Sequence, residues 1–173
     1  MFLFPGIEPI SEEFAKALWR PTKIIKEARE SFDPEPIIDL LAEDAIYESQ
    51  DTLIPLSGKS EISHYLRRRF SFFMEMPAHQ DTGTILFGTI DLPGGSDYPC
   101  LIFFVDGVRQ ALWTVTLEEP DHQLISRIDI STVLPHPDEA TLRRTVDVLD
   151  VLSEARKLPN SDWNSRFEDW LKA

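Results

Sequence analysis

The chain is poor in several residues and patterns that mark whole protein classes. It has one cysteine, Cys100, in 173 residues, which excludes an internal disulfide and any cysteine-rich zinc site. It has seven glycines but no Gly-rich phosphate loop, nucleophile elbow or nucleotide fingerprint, so no cofactor is expected. Its four histidines, His64, His79, His122 and His136, lack metal-ligand spacing, so no metal is expected either. No apolar run approaches the roughly 18 residues of a membrane span, and no membrane partner is expected. The apolar start, residues 1–4, has no basic flank and is cut short by Pro5, unlike a signal peptide. Bases are scarce: 17 Lys and Arg against 30 Asp and Glu give a formal charge of −13. Such a surface repels phosphate backbones, so no nucleic acid is expected as a partner. What remains is a soluble domain, expected in the cytoplasm.

Periodicity then sorts the chain into helices and strands. Ser11 is placed to cap a helix whose first turn holds Glu12 and Glu13. Pro21 is expected to interrupt it, with a second helix running through Ile24, Ile25 and Ala28 to Asp33-Pro34. A short helix over residues 37–41 and a strand over 45–49 follow. Gly58-Lys59-Ser60 opens a helix with the stripe Ile62, Leu66, Phe70 and Phe73. After Pro77 the period changes to two, predicting strands over 84–92, 98–105, 108–117 and 124–134. Asp106-Gly107 is a two-residue hairpin signal. Asp138 is placed to cap a further helix carrying Leu142, Val146 and Leu149, and Trp163, Phe167 and Trp170 suit a last short one. Helices, one strand, one helix and an antiparallel meander make an α+β fold rather than a parallel α/β sheet.

One stretch carries a family likeness. Residues 37–48, Ile-Ile-Asp-Leu-Leu-Ala-Glu-Asp-Ala-Ile-Tyr-Glu, followed by Pro55-Leu56-Ser57-Gly58-Lys59-Ser60-Glu61-Ile62, resemble the nuclear-transport-factor-2-like superfamily. That superfamily includes the SnoaL-like cyclases and ketosteroid isomerases. The resemblance implies a cone: a curved antiparallel sheet wrapped around helices, with a mostly apolar pocket at its open end and pairing into a homodimer through the sheet. On this reading residues 1–136 form the cone domain and residues 137–173 a C-terminal helical extension of it.

The resemblance also tests chemistries. Laid on the isomerase pattern, the catalytic base falls at Ser49, which cannot abstract a carbon-bound proton unaided. The oxyanion tyrosine falls at Ile25, and the strand at 108–117 has no acid to donate a hydrogen bond. Isomerase chemistry of that kind is rejected. Other enzymes of the superfamily place His and Asp in the pocket. His79 and Asp81 are the candidate catalytic pair, a histidine oriented by a carboxylate, and a solvated loop edge is the plainer alternative. Tyr47 and Ser49 share a strand face and are expected to line the pocket, as ligand-binding residues. Trp113, with Arg109, Ala111 and Val115 on its face, is either a pocket wall or plain core. Asp129 shares a face with Arg127 and Ser131, and is either a pocket acid held by Arg127 or part of a polar outer surface. Arg67-Arg68-Arg69 reads as a solvated face paired with acids, with an anion site as the other reading. His122 and His136 are expected to be exposed, and Cys100 to be buried rather than nucleophilic.

The expected function is binding of a small apolar or amphipathic molecule in the cone. Two other classes stand beside it: a cyclase, dehydratase or hydrolase, and an acidic protein-interaction module with a filled cone.

Overall fold

The computed structural model describes residues 9–50, 52–75, 83–133 and 135–143. Its first helix, α1 (Glu12–Ser31), begins where Ser11 accepts a hydrogen bond from the Phe14 backbone N–H at 3.1 Å. It ends at Phe32, whose left-handed backbone returns its N–H to the Ala28 carbonyl. Contrary to expectation, Pro21 does not break it. An internal proline costs about 3 kcal/mol through its missing N–H. Leu18, Ile24 and Ile25 are buried on the same helix. Burial of such side chains stabilises by roughly 1.5–3 kcal/mol each, so the packed face wins.

Helix α2 (Glu35–Leu40) passes directly into β1 (Leu41–Ser49), which starts four residues earlier than its alternation suggested. A two-residue strand, β2 (Leu56–Ser57), pairs antiparallel with β1, and α3 (Lys59–Glu75) follows. The meander is β3 (Gly83–Ile90), β4 (Tyr98–Val105), β5 (Val108–Leu117) and β6 (Ile125–Ser131). Asp106 and Gly107 join β4 to β5 with φ of 50° and 76°, the positive angles this tight turn requires.

The order across the curved seven-stranded sheet is β2-β1-β6-β5-β4-β3-β7. It is not wholly antiparallel: β1 runs parallel to β6, with Tyr47 opposite Ile128 and Ser49 opposite Ile130. The last strand among the described residues, β7 (Ala140–Leu142), stands where the start of a helix was expected. Its residues pair with Gly88–Ile90 on the edge of β3, and the Arg143 N–H continues the ladder to the Phe87 carbonyl at 2.9 Å. Open edge groups outcompete a local helical pattern here. Asp138 lies in a single 3₁₀ turn, Pro137–Glu139. The remainder of the expected C-terminal extension, with Trp163, Phe167 and Trp170, lies outside the described residues.

Registration sorts the two faces of the sheet. Tyr47, Ile128 and Val115 form one row, and Ser49, Ile130, Trp113, Leu101 and Phe87 the next. The helices cover this face: Trp19 of α1 packs edge-on against Phe87 at 6.1 Å, and Tyr65 of α3 lies 5.2 Å from Tyr47. The core lies between, with Leu18, Ile25, Ile37, Ile62 and Leu66 almost fully buried. The other face carries the row Glu48, Asp129 and Thr114. Among the described residues, no helix is long and apolar enough to cross a membrane.

Candidate functional site

Between the sheet and the ends of α1 and α3 lies an open cavity of about 780 Å³. Each wall follows from an element's periodicity. Strand β1 contributes Tyr47 and Ser49, two residues apart on one face. Trp113, Ala111 and Phe103 come from β5 and β4, and Ile130 from β6. Helix α3 adds Leu66, Phe70 and Phe73 from its apolar stripe. The mouth is rimmed by Val105 and Val108 beside the hairpin and by His136, Pro137 and Asp138.

Two arginines enter this lining of mixed polarity from the helices. Arg29, in the last turn of α1, sets its guanidinium carbon 4.2 Å from the centre of the Phe73 ring and 5.5 Å from that of Phe32. Arg69 of α3 lies 4.8 Å from the same Phe73 ring. Guanidinium groups over aromatic faces gain from the ring quadrupole while shedding water. Burial holds Arg29 below the ordinary arginine range, the charge of Arg69 acts in the same direction, and Tyr47 opposes both. Arg109 also lines the cavity, but it donates to the carbonyls of Pro137 (3.2 Å) and Ala140 (2.6 Å). A register shift between Phe103 and Phe104 interrupts the alternation beside it, so it does not share the regular face of Trp113 as expected.

The residues singled out from the sequence divide into three groups. Tyr47, Ser49 and Trp113 meet in the cavity. Asp129 does not line it. Arg127 does hold Asp129, its Nε reaching the two carboxylate oxygens at 3.0 and 2.9 Å, with Glu48 pairing to the same arginine. That cluster borders a separate groove of about 420 Å³ with Thr114 and Ser131 on the opposite face. Burial is the largest influence on Asp129 and raises its pKa, partly offset by Arg127. His79 and Asp81 lie outside the described residues. A different histidine and acid stand at the mouth: His136 Nδ1 is 3.5 Å from Asp138 and accepts the Asp138 backbone N–H at 3.2 Å. Both are exposed, and the neutral ring therefore carries its proton on Nε2.

Other expectations resolve as follows. Arg67 makes a two-pronged pair with Glu35 at 2.7 and 2.9 Å, Arg68 is exposed, and Arg69 alone of the three turns into the cavity. His136 is exposed as expected. His122 is instead half-buried, edge-on to Phe14 at 4.7 Å, and its Nδ1 has no hydrogen-bond partner among the described residues. Cys100 is buried, and burial pushes its thiol up to about 12, which removes it as a nucleophile at neutral pH. Among the described residues no group of three or more His, Cys, Asp or Glu converges as a metal site would.

The two arginines carried a signal that charge obscured. Arg29 continues the buried series Leu18, Thr22 and Ile25 at helical spacing, and Arg69 lies between Leu66 and Phe73 in the α3 stripe. Each is the charged member of an otherwise uncharged series.

No family model and no curated protein matches the chain. Solved structures do. A SnoaL-like protein of unknown function from Burkholderia thailandensis is 18% identical over 72% of this chain and 98% of its own, with a TM-score of 0.47. A candidate ketosteroid isomerase from Kribbella flavida is 22% identical over 69% and 77%, with a TM-score of 0.41. An LEH-like epoxide hydrolase from M. tuberculosis is 12% identical over 83% and 93%, with a TM-score of 0.39. The solved structures similar to this chain thus include a SnoaL-like protein, a candidate ketosteroid isomerase and an LEH-like epoxide hydrolase.

Proposed function

We propose that the chain binds a small apolar or amphipathic molecule in the cavity between its sheet and helices. The observation that carries this reading is the lining. A space of about 780 Å³ is walled in part by Trp113, Phe103, Phe70, Phe73 and Ile130 and in similar measure by polar residues, Arg29, Ser49 and Tyr47 among them. Ligand pockets typically occupy about 300–1,000 Å³, and walls of mixed polarity suit a molecule that has both an apolar and a polar part. An interaction module of this fold expects a filled cone, and the open cavity speaks for the pocket instead.

Two measurements test it. Native mass spectrometry of gently purified protein reads subunit count and any retained molecule together, and the expected species is a dimer carrying a small adduct. Nile red, a neutral apolar dye, is expected to brighten on binding the protein. Ala111→Trp, which plugs the space beside Trp113, is expected to abolish that response while the protein stays folded. An unchanged response in Ala111→Trp would place the dye elsewhere and remove the pocket reading.

A further inference from the structure

We propose that the ligand of this cavity is an amphipathic acid: an apolar body carrying one carboxylate, which docks on Arg29. The inference rests on the pocket reading above and specifies the chemistry it selects.

The first ground is charge placement. The chain has an excess of 13 acids over bases, yet the described lining of the cavity reverses that sign. It holds Arg29, Arg69 and Arg109 against one acid, Asp138, which stands at the mouth. Arg109 is occupied by two backbone carbonyls. Arg29 lies over the Phe32 and Phe73 rings within the lining.

The second ground is the state of Arg29. Removing a guanidinium from water is unfavourable unless an anion or hydrogen-bond acceptors replace the water. Among the described residues Arg29 has no carboxylate partner. Its neighbours are the Phe32 and Phe73 rings, Tyr47, and the like-charged Arg69. Burial is the largest influence on Arg29, and a bound carboxylate replaces the hydration that burial removes. Helical register holds Arg29 in that position, so the arrangement is built into α1 rather than adopted by a mobile surface chain.

The third ground selects the anion. A carboxylate is planar and matches the guanidinium fork with two parallel hydrogen bonds. It carries a single charge, which a chain with a net charge of −13 repels less than a phosphate dianion. The Tyr47 and Ser49 hydroxyls line the same space, while Trp113 and Phe103 suit an apolar body.

The test uses matched pairs that differ only in charge. The pairs are 1-naphthaleneacetic, 4-phenylbutyric and dodecanoic acids with their primary amides, titrated calorimetrically into the full chain. Hydrogen bonds to charged groups contribute more than neutral ones, so at least one acid is expected to bind about tenfold or more tighter than its amide. Arg29→Gln is expected to reduce that preference to about threefold or less, weakening the acid more than the amide. Arg29→Lys keeps a charge and is expected to retain part of the preference, which separates lost charge from lost folding. Arg67→Gln, on the solvated face, is expected to change nothing. Acids and amides binding wild type equally would overturn the carboxylate inference and leave the pocket standing. Tighter binding of 1-naphthyl phosphate than of any acid would overturn the choice of anion. If no pair binds and Nile red does not respond, the pocket reading fails and takes this inference with it.

Discussion

Strand β4 carries two buried groups that limit stability at alkaline pH. Tyr98 is 2% exposed, and its hydroxyl donates to the Val115 carbonyl at 2.6 Å and lies 3.2 Å from the Thr116 hydroxyl. Burial pushes this phenol from 10.0 up to about 12; Thr116 acts to lower it and Asp129 to raise it. Two residues on, burial pushes the Cys100 thiol from 9.0 up to about 12, against the pull of Arg109. Both groups are neutral when protonated, and both hold the proton more tightly folded than unfolded. Their stabilisation is therefore complete below about pH 9 and is lost as pH rises through about 12. At about 1.4 kcal/mol per pH unit, Tyr98 accounts for about 3 kcal/mol of that loss and Cys100 for about 4 kcal/mol. Domains have only about 5–15 kcal/mol in total, so alkaline unfolding is expected within this window.

The assay is urea unfolding followed by tryptophan fluorescence between pH 8 and 12. At pH 8, Tyr98→Phe is expected to lose about 1–3 kcal/mol, because the Val115 carbonyl is left buried without its donor. Between pH 10 and 12 the same variant is expected to lose about 3 kcal/mol less than wild type, so the two curves converge. Cys100→Ala is expected to flatten the profile from pH 9 upward. An alkaline slope in Tyr98→Phe equal to that of wild type would refute the reasoning.

Three further outcomes follow from packing and charge. Gly58 has φ of +90°, and a Cβ there would sit an ordinary 3.6 Å from the Glu43 carbonyl. Gly58→Ala therefore carries backbone strain alone and is expected to lower stability by about 1–2 kcal/mol; no change in urea midpoint would contradict this. Gly88→Ala meets Ile102 Cδ1 at 2.6 Å and the Thr141 carbonyl at 3.0 Å. It is expected to cost about 1–3 kcal/mol and to speed amide exchange in β7, and wild-type exchange rates there would count against it. Asp129 has a raised pKa, so its ionised form works against the folded state at neutral pH, once the pH has passed the carboxyl's folded value. Asp129→Asn keeps an acceptor for Arg127 and is expected to leave stability at pH 7 unchanged or higher by less than about 1 kcal/mol. A loss above about 1 kcal/mol would show that the ion pair outweighs burial.

Local signals in the sequence located most elements. The β4–β5 hairpin appears at its expected bounds because Asp106-Gly107 dictates the turn and both flanks alternate. Ser11 caps α1 as its residue type suggests. What the sequence did not reveal depends on partners far along the chain. The pairing of β1 with β6 has no local signature, and β7 exists because β3 leaves an edge. Pro21 stays helical because burial outweighs its missing hydrogen bond. In the cavity, alternation put Tyr47 and Ser49 on one face. Arg29 and Arg69 were present in the helical register, but charged residues are ordinarily assigned to solvent, and only the fold shows what surrounds them.

The parallel seam between β1 and β6 also bears on the order of folding. The strands of the meander are joined by short connections, whereas Glu48 and Arg127 across the seam are 79 residues apart. Contacts of long sequence separation pay loop-closure entropy first and form late. One wall of the cavity, Tyr47 and Ser49, is therefore expected to reach Ile130 only after the meander has formed. A ligand of the proposed pocket is then expected to hold contacts that are absent from the folding transition state. It slows the opening of the finished protein and leaves the rate of its assembly almost untouched. In a denaturant chevron measured with ligand present, the unfolding arm is the one that moves.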